Sequence, residues 1–146
     1  MKIHVLNGPN LNLLGVREPD IYGQETYESL LRKIEAYCLS QGIEAVFYQS
    51  NHEGDLVDAI HKAFFDRADG IVINPGAYTH TSIALLDAVK ATSLPTVEVH
   101  ISNVDEREPF RKISYIRAAC IGTISGHGTD GYLEAIDLLL KEKKEQ

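Results

Sequence analysis

The chain has 146 residues, of which 14 are lysine or arginine and 21 are aspartate or glutamate, so its net charge is −7. Hydrophobic residues make up 44% and charged residues 24%, which excludes a disordered, collagen-like or disulfide-stapled chain. The acidic balance argues against a nucleic-acid-binding surface, and the longest apolar run is too short to cross a bilayer. We therefore expect one globular domain with neither nucleic acid nor membrane as a partner.

The cysteines and the N-terminus bear on the cellular compartment. Cys38 and Cys120 lie in apolar stretches without the spacing of metal ligands, so we expect both to be small core hydrophobes. Polar and turn residues occur too early in residues 1–8 for a secretory signal peptide. These observations predict a reducing, cytoplasmic setting.

Five short apolar runs rich in β-branched residues alternate with helical patterns. Their nearly continuous hydrophobicity is typical of strands buried on both faces, as in a parallel sheet. The predicted strands are Ile3–Leu6, Ala45–Tyr48, Gly70–Ile73, Thr96–Val99 and Ile116–Ile124.

Capping residues mark the first two helices. Thr26 is placed to cap the first helix, and Gly42 is placed to end it. Ser50 and Glu53 have the spacing of a capping box at the start of the second helix. The predicted inward faces carry Leu30, Ile34, Tyr37 and Cys38 in the first helix, and Leu56, Val57, Ile60 and Phe64 in the second.

Two further helices complete the pattern. The third follows Asn74-Pro75-Gly76, and the fourth begins near Asp130 and ends among lysines, whose charge suits a helix C-terminus. Between them the polar, proline-containing segment Ser102–Ser114 predicts a loop with at most a short helical turn. The predicted inward face of the third helix carries Ile83, Leu86 and Val89.

Strands and helices that alternate in this way predict an α/β domain with one doubly wound parallel sheet and helices on both faces. Five strands favour the flavodoxin-like order 2-1-3-4-5. In such sheets ligands bind beyond the carboxyl ends of the strands, where the strand order reverses between strands 1 and 3. Functional residues are therefore expected directly after the strands.

A connection of 17 residues, Asn7–Gly23, follows the first strand. Connections in α/β units usually span roughly 2–6 residues, so we expect an active-site lid at about residues 15–24. An ordinary surface excursion is the alternative. The connection carries Arg17 and Tyr22, and a neighbouring guanidinium can lower the pKa of a tyrosine below its usual value of about 10.

Three polar residues follow the third strand. Asn74 ends the strand facing the expected crevice, and its amide can both donate and accept hydrogen bonds. His80 is predicted in the first turn of the next helix, with Asp87 two turns later on the same face. A capping histidine and a solvated aspartate are the simpler interpretations of these two residues.

After the fourth strand a carboxylate and an imidazole share one face. Glu98 and His100 are two residues apart, and a carboxylate beside a histidine fixes its tautomer and prepares it as a general acid. Ser102 and nearby backbone N–H groups can hold a carboxylate. Arg107 and Arg111 follow on the polar loop, within reach of an anion or a pair of hydroxyls.

The segment Gly126–Gly131 matches the pattern G-x-G-x-x-G. A dinucleotide-binding fingerprint requires a following strand and an acidic residue about 20 positions later, but only one helix remains before the chain reaches Gln146. These glycines therefore predict a tight turn with close backbone packing.

Two non-enzymatic alternatives share the expected architecture. A signalling receiver needs a pair of acids after strand 1 and an aspartate after strand 3, where this chain has Asn7, Asn10 and Asn74. A flavin carrier needs a hydroxyl-rich phosphate-binding loop after strand 1, and Asn7-Gly8-Pro9-Asn10 is not one.

Three separated motifs together resemble type II 3-dehydroquinate dehydratase. They are Asn7–Gly15 with Arg17 and Tyr22, Asn74–His80, and Glu98–Asn103. The resemblance extends over essentially the whole chain. It implies a trans-elimination of water from 3-dehydroquinate to 3-dehydroshikimate through an enolate, without metal or cofactor. That reaction belongs to the shikimate pathway of chorismate and aromatic amino acid biosynthesis.

The resemblance also implies catalytic roles. Tyr22 would remove the proton alpha to the ketone, with Arg17 lowering its pKa, and Asn10 would steady the enolate. His100, oriented by Glu98, would protonate the departing hydroxyl.

The same resemblance implies how the substrate is held. Asn74, the Ile101 backbone and Ser102 would bind the substrate carboxylate and tertiary hydroxyl. The remaining hydroxyls would contact His80, Arg111 and Asp87. The family assembles as a dodecamer of trimers, so a neighbouring subunit would supply Asp87. Residues 1–146 would form a single catalytic domain.

Overall fold

The computed structural model describes residues 1–16, 20 and 25–146. Its strands are β1 (Lys2–Asn7), β2 (Glu44–Gln49), β3 (Gly70–Asn74), β4 (Thr96–His100) and β5 (Gly122–Ser125). They form a parallel sheet in the order β2-β1-β3-β4-β5, which confirms the predicted flavodoxin-like arrangement.

Helices cover both faces of the sheet. They are α1 (Tyr27–Ser40), α2 (Glu53–Phe65), α3 (Ile83–Thr92) and α4 (Asp130–Lys144). Helices α1 and α4 pack on one face, and α2 and α3 pack on the other. No helix in the described part of the chain is long and apolar enough to cross a membrane.

The two apolar cores divide at the sheet because successive side chains of a strand point to opposite faces. In β3, Val72 packs with α1 and α4, whereas Ile71 and Ile73 pack with α2 and α3. All three side chains are fully buried. This explains why the strand sequences show nearly continuous hydrophobicity.

Several local predictions are confirmed. The Thr26 hydroxyl accepts a hydrogen bond from the Ser29 N–H at 3.1 Å, and α1 ends at Ser40, just before Gly42. Cys38 is buried and Cys120 is half-buried, and both are free thiols. The prediction for Ser102–Ser114 is correct only in part, since this loop contains two short 3-10 turns, Val104–Glu106 and Pro109–Lys112, where at most one was expected.

The predicted strand Ile116–Ile124 is wrong in its first half. Residues Ile116–Ala119 form a 3-10 turn, and only Gly122–Ser125 is strand. Ile116 is buried in the core beneath α2 and α3, and the Ser114 hydroxyl accepts a hydrogen bond from the Arg117 N–H at 3.3 Å. These contacts turn the backbone before the strand begins.

The predicted capping box at Ser50 is also wrong. Helix α2 begins at Glu53 after His52. The Ser50 hydroxyl accepts from the His52 N–H at 3.0 Å and donates to Asp55 at 2.8 Å. The Ser50 N–H meanwhile bonds to the Asn7 carbonyl, which keeps this residue beside the end of β1.

The third helix begins later than predicted. A separate 3-10 turn, Gly76–His80, precedes α3, which the Ser82 side chain caps. His80 and Asp87 therefore do not share one helix. The inward faces shift as well, since Ile83 is 56% exposed and Phe64 of α2 is 47% exposed. The buried residues are Leu85, Ala88, Val89 and Thr92 in α3, and Leu56, Ala59, Ile60 and Ala63 in α2.

The loops after β1 and β3 are in direct backbone contact at Gly8. The Gly8 N–H donates to the Asn74 carbonyl at 2.8 Å, and a Cβ at Gly8 would lie 2.4 Å from the Pro75 carbonyl oxygen. A residue without a side chain is therefore required where the two strand ends meet.

We expect Gly8→Ala to lower the free energy of unfolding by about 1–3 kcal/mol, because an added methyl group must displace the Pro75 backbone. Urea unfolding followed by circular dichroism measures the change. Gly54→Ala is the matched control, since Gly54 lies in α2 with no atom within 4 Å of an added Cβ. Equal stability of the two variants would contradict the argument.

Candidate active site

A cavity of about 140 Å³ opens at the carboxyl ends of β1, β3 and β4, the edge predicted to bind the ligand. Its size suits one small ring compound. The lining residues are Pro9, Asn10, Leu11, Asn74, Gly76, Ala77, His80, His100, Ile101, Ser102, Val104, Arg107 and Arg111.

His100 forms the part of the wall best equipped for proton transfer. Its Nε2 lies 2.6 Å from a carboxylate oxygen of Glu98, and both side chains are buried. An Nε2–H that donates to the carboxylate leaves Nδ1 as the ring atom able to exchange a proton with a ligand. This confirms the predicted pairing of Glu98 with His100.

Glu98 itself has no exposed surface, and several donors surround its carboxylate. The hydroxyl of Thr79 donates at 2.6 Å and that of Ser114 at 3.0 and 3.1 Å. Thr123 donates at 3.3 Å, and the Arg117 guanidinium lies at 3.4 Å.

These donors keep Glu98 ionised. Burial alone would raise the pKa of Glu98, but hydrogen bonds from His100 and Thr79 and the charge of Arg117 outweigh it and lower the pKa to about 2. A carboxylate that stays charged at neutral pH stabilises a positive charge on the imidazole beside it.

Two arginines line the cavity although the chain carries a net charge of −7. Arg107 and Arg111 line it, and no carboxylate does so among the residues that the structure describes. The Arg111 side chain also pairs with Glu108 at 2.5 Å. The arrangement favours a small anion as the ligand.

His80 presents a different group to the cavity. Its Nδ1 donates to the Ile113 carbonyl at 2.7 Å, and burial lowers the pKa of the ring below its usual 6.5. A neutral ring that donates through Nδ1 leaves Nε2 as an acceptor. His80 can therefore accept a hydrogen bond from a ligand hydroxyl.

The turn at Gly126–Gly131 supports the cavity from behind. Gly126 and Gly128 adopt φ values of 83° and 60°, which disfavour residues with a side chain. The Gly128 N–H donates to the Ile101 carbonyl at 3.1 Å. The prediction of a tight, closely packed turn is confirmed.

The cavity brings together seven of the predicted site residues: Asn10, Asn74, His80, His100, Ile101, Ser102 and Arg111. Glu98 lies behind His100. Asp87 is exposed on α3 and does not line the cavity. Arg17 and Tyr22 lie outside the described residues, as does most of the predicted lid at about residues 15–24.

The residues that support the site were not predicted from the sequence. Thr79, Ser114, Thr123 and Arg117 contact Glu98, and Tyr132 contacts the side chains of Asn7 and Asn74. A glutamate within an apolar strand was the available signal, because a buried carboxylate requires donors. It does not indicate which hydroxyls provide them.

The fold and the cavity define an α/β domain equipped for proton transfer to a small anionic ligand. The family model described as "Dehydroquinase class II" matches residues 1–140. The chain belongs to the class II dehydroquinase family. Because the chain belongs to this family and carries asparagines at its strand ends, the alternatives of a signalling receiver or a flavin carrier are not favoured.

Individual relatives agree with this assignment. A 3-dehydroquinate dehydratase of Corynebacterium glutamicum is 56% identical over 143 residues, with 98% of each chain covered. One from Caldicellulosiruptor bescii is 54% identical over 135 residues, covering 92% of this chain and 93% of the relative. The crystal structure of type II dehydroquinase from Butyrivibrio crossotus is 57% identical with a TM-score of 0.95, covering 96% of this chain and 97% of that one.

The ionised state of Glu98 makes a testable contribution to stability. A carboxyl whose pKa is lower in the folded state stabilises the fold above its unfolded pKa, and this contribution is lost as the pH falls. For Glu98 the loss should occur between pH 4.5, its ordinary pKa, and about 2.

We therefore expect the free energy of unfolding, measured in urea, to fall more steeply between pH 4.5 and about 2 for the parent chain than for Glu98→Gln. Glu35→Gln, at an exposed position of α1, serves as a control for the loss of one carboxylate. Parallel pH profiles of the parent chain and Glu98→Gln would show that Glu98 is not held ionised by its neighbours.

Proposed function

We propose that this chain catalyses the dehydration of 3-dehydroquinate to 3-dehydroshikimate, a step of the shikimate pathway towards chorismate and the aromatic amino acids. The observation that carries the proposal is the His100–Glu98 pair, joined at 2.6 Å, with His100 on the wall of a cavity that two arginines also line. The relatives from Caldicellulosiruptor bescii and Corynebacterium glutamicum are 3-dehydroquinate dehydratases, which supports the same reaction.

The elimination requires a base and an acid. A base removes the proton alpha to the ketone, and the electron pair of that C–H bond forms an enolate. As the enolate collapses, the bond from C1 to its hydroxyl breaks, and a proton from His100 converts the departing hydroxyl to water. Glu98 remains ionised throughout and fixes the orientation of the His100 ring through the contact at Nε2.

The proposed base is Tyr22, with Arg17 beside it favouring the phenolate. Both belong to the lid proposed at about residues 15–24, within one catalytic domain formed by residues 1–146. Asn10 lines the cavity and is proposed to stabilise the enolate oxygen.

The remaining lining groups are proposed to bind the substrate. Asn74, the Ile101 backbone and Ser102 would hold its carboxylate and tertiary hydroxyl. His80, with a free acceptor nitrogen, and Arg111 would bind the other hydroxyls. The mixture of donors, acceptors and positive charge suits a small anionic polyol.

Asp87 is proposed to complete the site of a neighbouring subunit in a dodecamer of trimers. The exposure of Asp87 and of Ile83 on the same helix supports a further contact surface there. A cytoplasmic location is proposed as well, because the two cysteines are free.

The central test is an assay of 3-dehydroquinate turnover by the rise in ultraviolet absorbance as the enone forms. We expect His100→Ala and Tyr22→Phe each to reduce kcat by about 10²–10⁴-fold, because each removes a proposed acid or base. His61→Ala, on the exposed surface of α2, should retain parental turnover. Near-parental turnover in His100→Ala would reject its assignment as the acid.

A second prediction concerns the type of mechanism. A Schiff-base route to the same product needs a lysine in the site, and none lines the described part of the cavity. We expect borohydride added together with 3-dehydroquinate to leave activity unchanged and to add no mass to the protein. Mass spectrometry after digestion reports this directly, and a reduced adduct on any lysine would contradict the enolate route.

A further inference from the structure

A buried polar cluster lies directly behind the cavity. Asn7 ends β1 and Asn74 ends β3, and the two residues are paired in the sheet register. The hydroxyl of Tyr132, from α4, bonds to both side chains. All three residues are buried, and Asn74 alone also lines the cavity.

The hydrogen bonds of this cluster have a defined direction. The Tyr132 hydroxyl donates its one proton to Asn7 Oδ1 at 2.6 Å, and its oxygen accepts from Asn74 Nδ2 at 3.0 Å. At the other end of the Asn74 amide, Oδ1 accepts from the Gly76 N–H at 3.1 Å. The Asn74 amide is therefore held at both its nitrogen and its oxygen.

The reversed amide orientation is disfavoured at both ends. If Asn74 turned by 180°, its NH₂ group would face the Gly76 N–H, so that two donors would oppose each other. Its oxygen would then compete with Asn7 Oδ1 for the one proton of Tyr132, and one buried oxygen would lose its partner. Unpaired buried polar groups are costly, so a single orientation results.

Asn7 is oriented by the same hydroxyl. Its Oδ1 accepts the Tyr132 proton at 2.6 Å, and its Nδ2 has no hydrogen-bond partner among the described residues. Because the Gly76 N–H holds the Asn74 amide with its nitrogen towards Tyr132, a reversed Asn7 amide would present a second donor to that hydroxyl and leave its proton without this acceptor. The Asn7 oxygen is therefore directed towards Tyr132.

We propose that Asn7 and Tyr132 are positioning residues that fix the Asn74 amide so that its remaining N–H is the group offered to the ligand. An N–H group held in this orientation binds the acceptor oxygens of a carboxylate. It therefore favours a carboxylate over a neutral group, such as a carboxamide, that also carries N–H donors. The inference deepens the proposed function, since it rests on the assignment of Asn74 to the substrate carboxylate.

The test begins with Tyr132→Phe, which removes the hydroxyl and keeps the ring in the core. We expect KM for 3-dehydroquinate to rise by about 3- to 10-fold with kcat changed less than about 2-fold, since one hydrogen bond that holds a binding group is lost. A purely structural role would lower the amount of active enzyme and leave KM unchanged. Tyr37→Phe is the matched control, because the Tyr37 hydroxyl bonds to Asp137 away from the cavity.

A binding measurement separates the inference from the proposed function. Calorimetry compares the affinity for 3-dehydroshikimate with that for its carboxamide. We expect the parent chain to prefer the carboxylate and Tyr132→Phe to reduce that preference by about 3- to 10-fold. Asn7→Ala, which removes the acceptor of the Tyr132 proton, should also reduce it and replaces Tyr132→Phe if that variant does not fold.

An unchanged preference in a folded variant would overturn the positioning role. A parent chain that binds the carboxylate selectively without converting 3-dehydroquinate would instead reject the proposed function and leave the positioning role supported. Equal reductions in affinity for both ligands would also count against the inference, because they would indicate general damage to the site.

Discussion

A carboxylate with no exposed surface must find all its hydrogen bonds within the protein, and Glu98 is such a group. Its donors come from the 3-10 turn after β3, from the segment before β5, and from β4 and β5 themselves. Removing one partner of a buried charge typically costs about 3–5 kcal/mol. The requirement to satisfy Glu98 therefore fixes these segments relative to one another, and His100 is held in place as one of the partners.

The need to satisfy Glu98 also connects the proposed acid, His100, with His80, which is proposed to bind a substrate hydroxyl. Residues 113–115 contact the turn that carries His80 at several points. The Ile113 carbonyl accepts from His80, the Tyr115 N–H donates to the Thr79 carbonyl, and Ser114 donates to Glu98. One short segment thus aligns a ligand-facing imidazole with the charge that supports the proposed acid.

The net charge of the chain is −7, whereas two arginines line its cavity. At physiological ionic strength interactions between exposed charges are screened beyond about 8 Å, so the acidic outer surface contributes little inside the site. Arg107 and Arg111 lie at the cavity wall and act over shorter distances. Local placement rather than overall composition therefore determines which ligands are attracted.

The sequence predicts the strands and the edge of the sheet well, and it predicts the supporting contacts poorly. The first four strands agree with the structure to within one residue at each end, since buried parallel strands carry an uninterrupted apolar signal. The same apolar pattern led to a wrong prediction of strand at Ile116, which is a buried apolar residue of a 3-10 turn. Ser50 failed as a cap because its hydroxyl has a closer partner in Asp55. The neighbours of Glu98 are ordinary serines and threonines, whose role depends on three-dimensional contacts.

The bond between Asn7 and Tyr132 joins residues 125 positions apart. Asn7, Asn74 and the described residues that line the cavity all lie before position 112, yet the group that orients the two asparagines belongs to the last helix. Recognition of the ligand therefore depends on the C-terminal helix, although no residue of that helix is among the described residues that line the cavity.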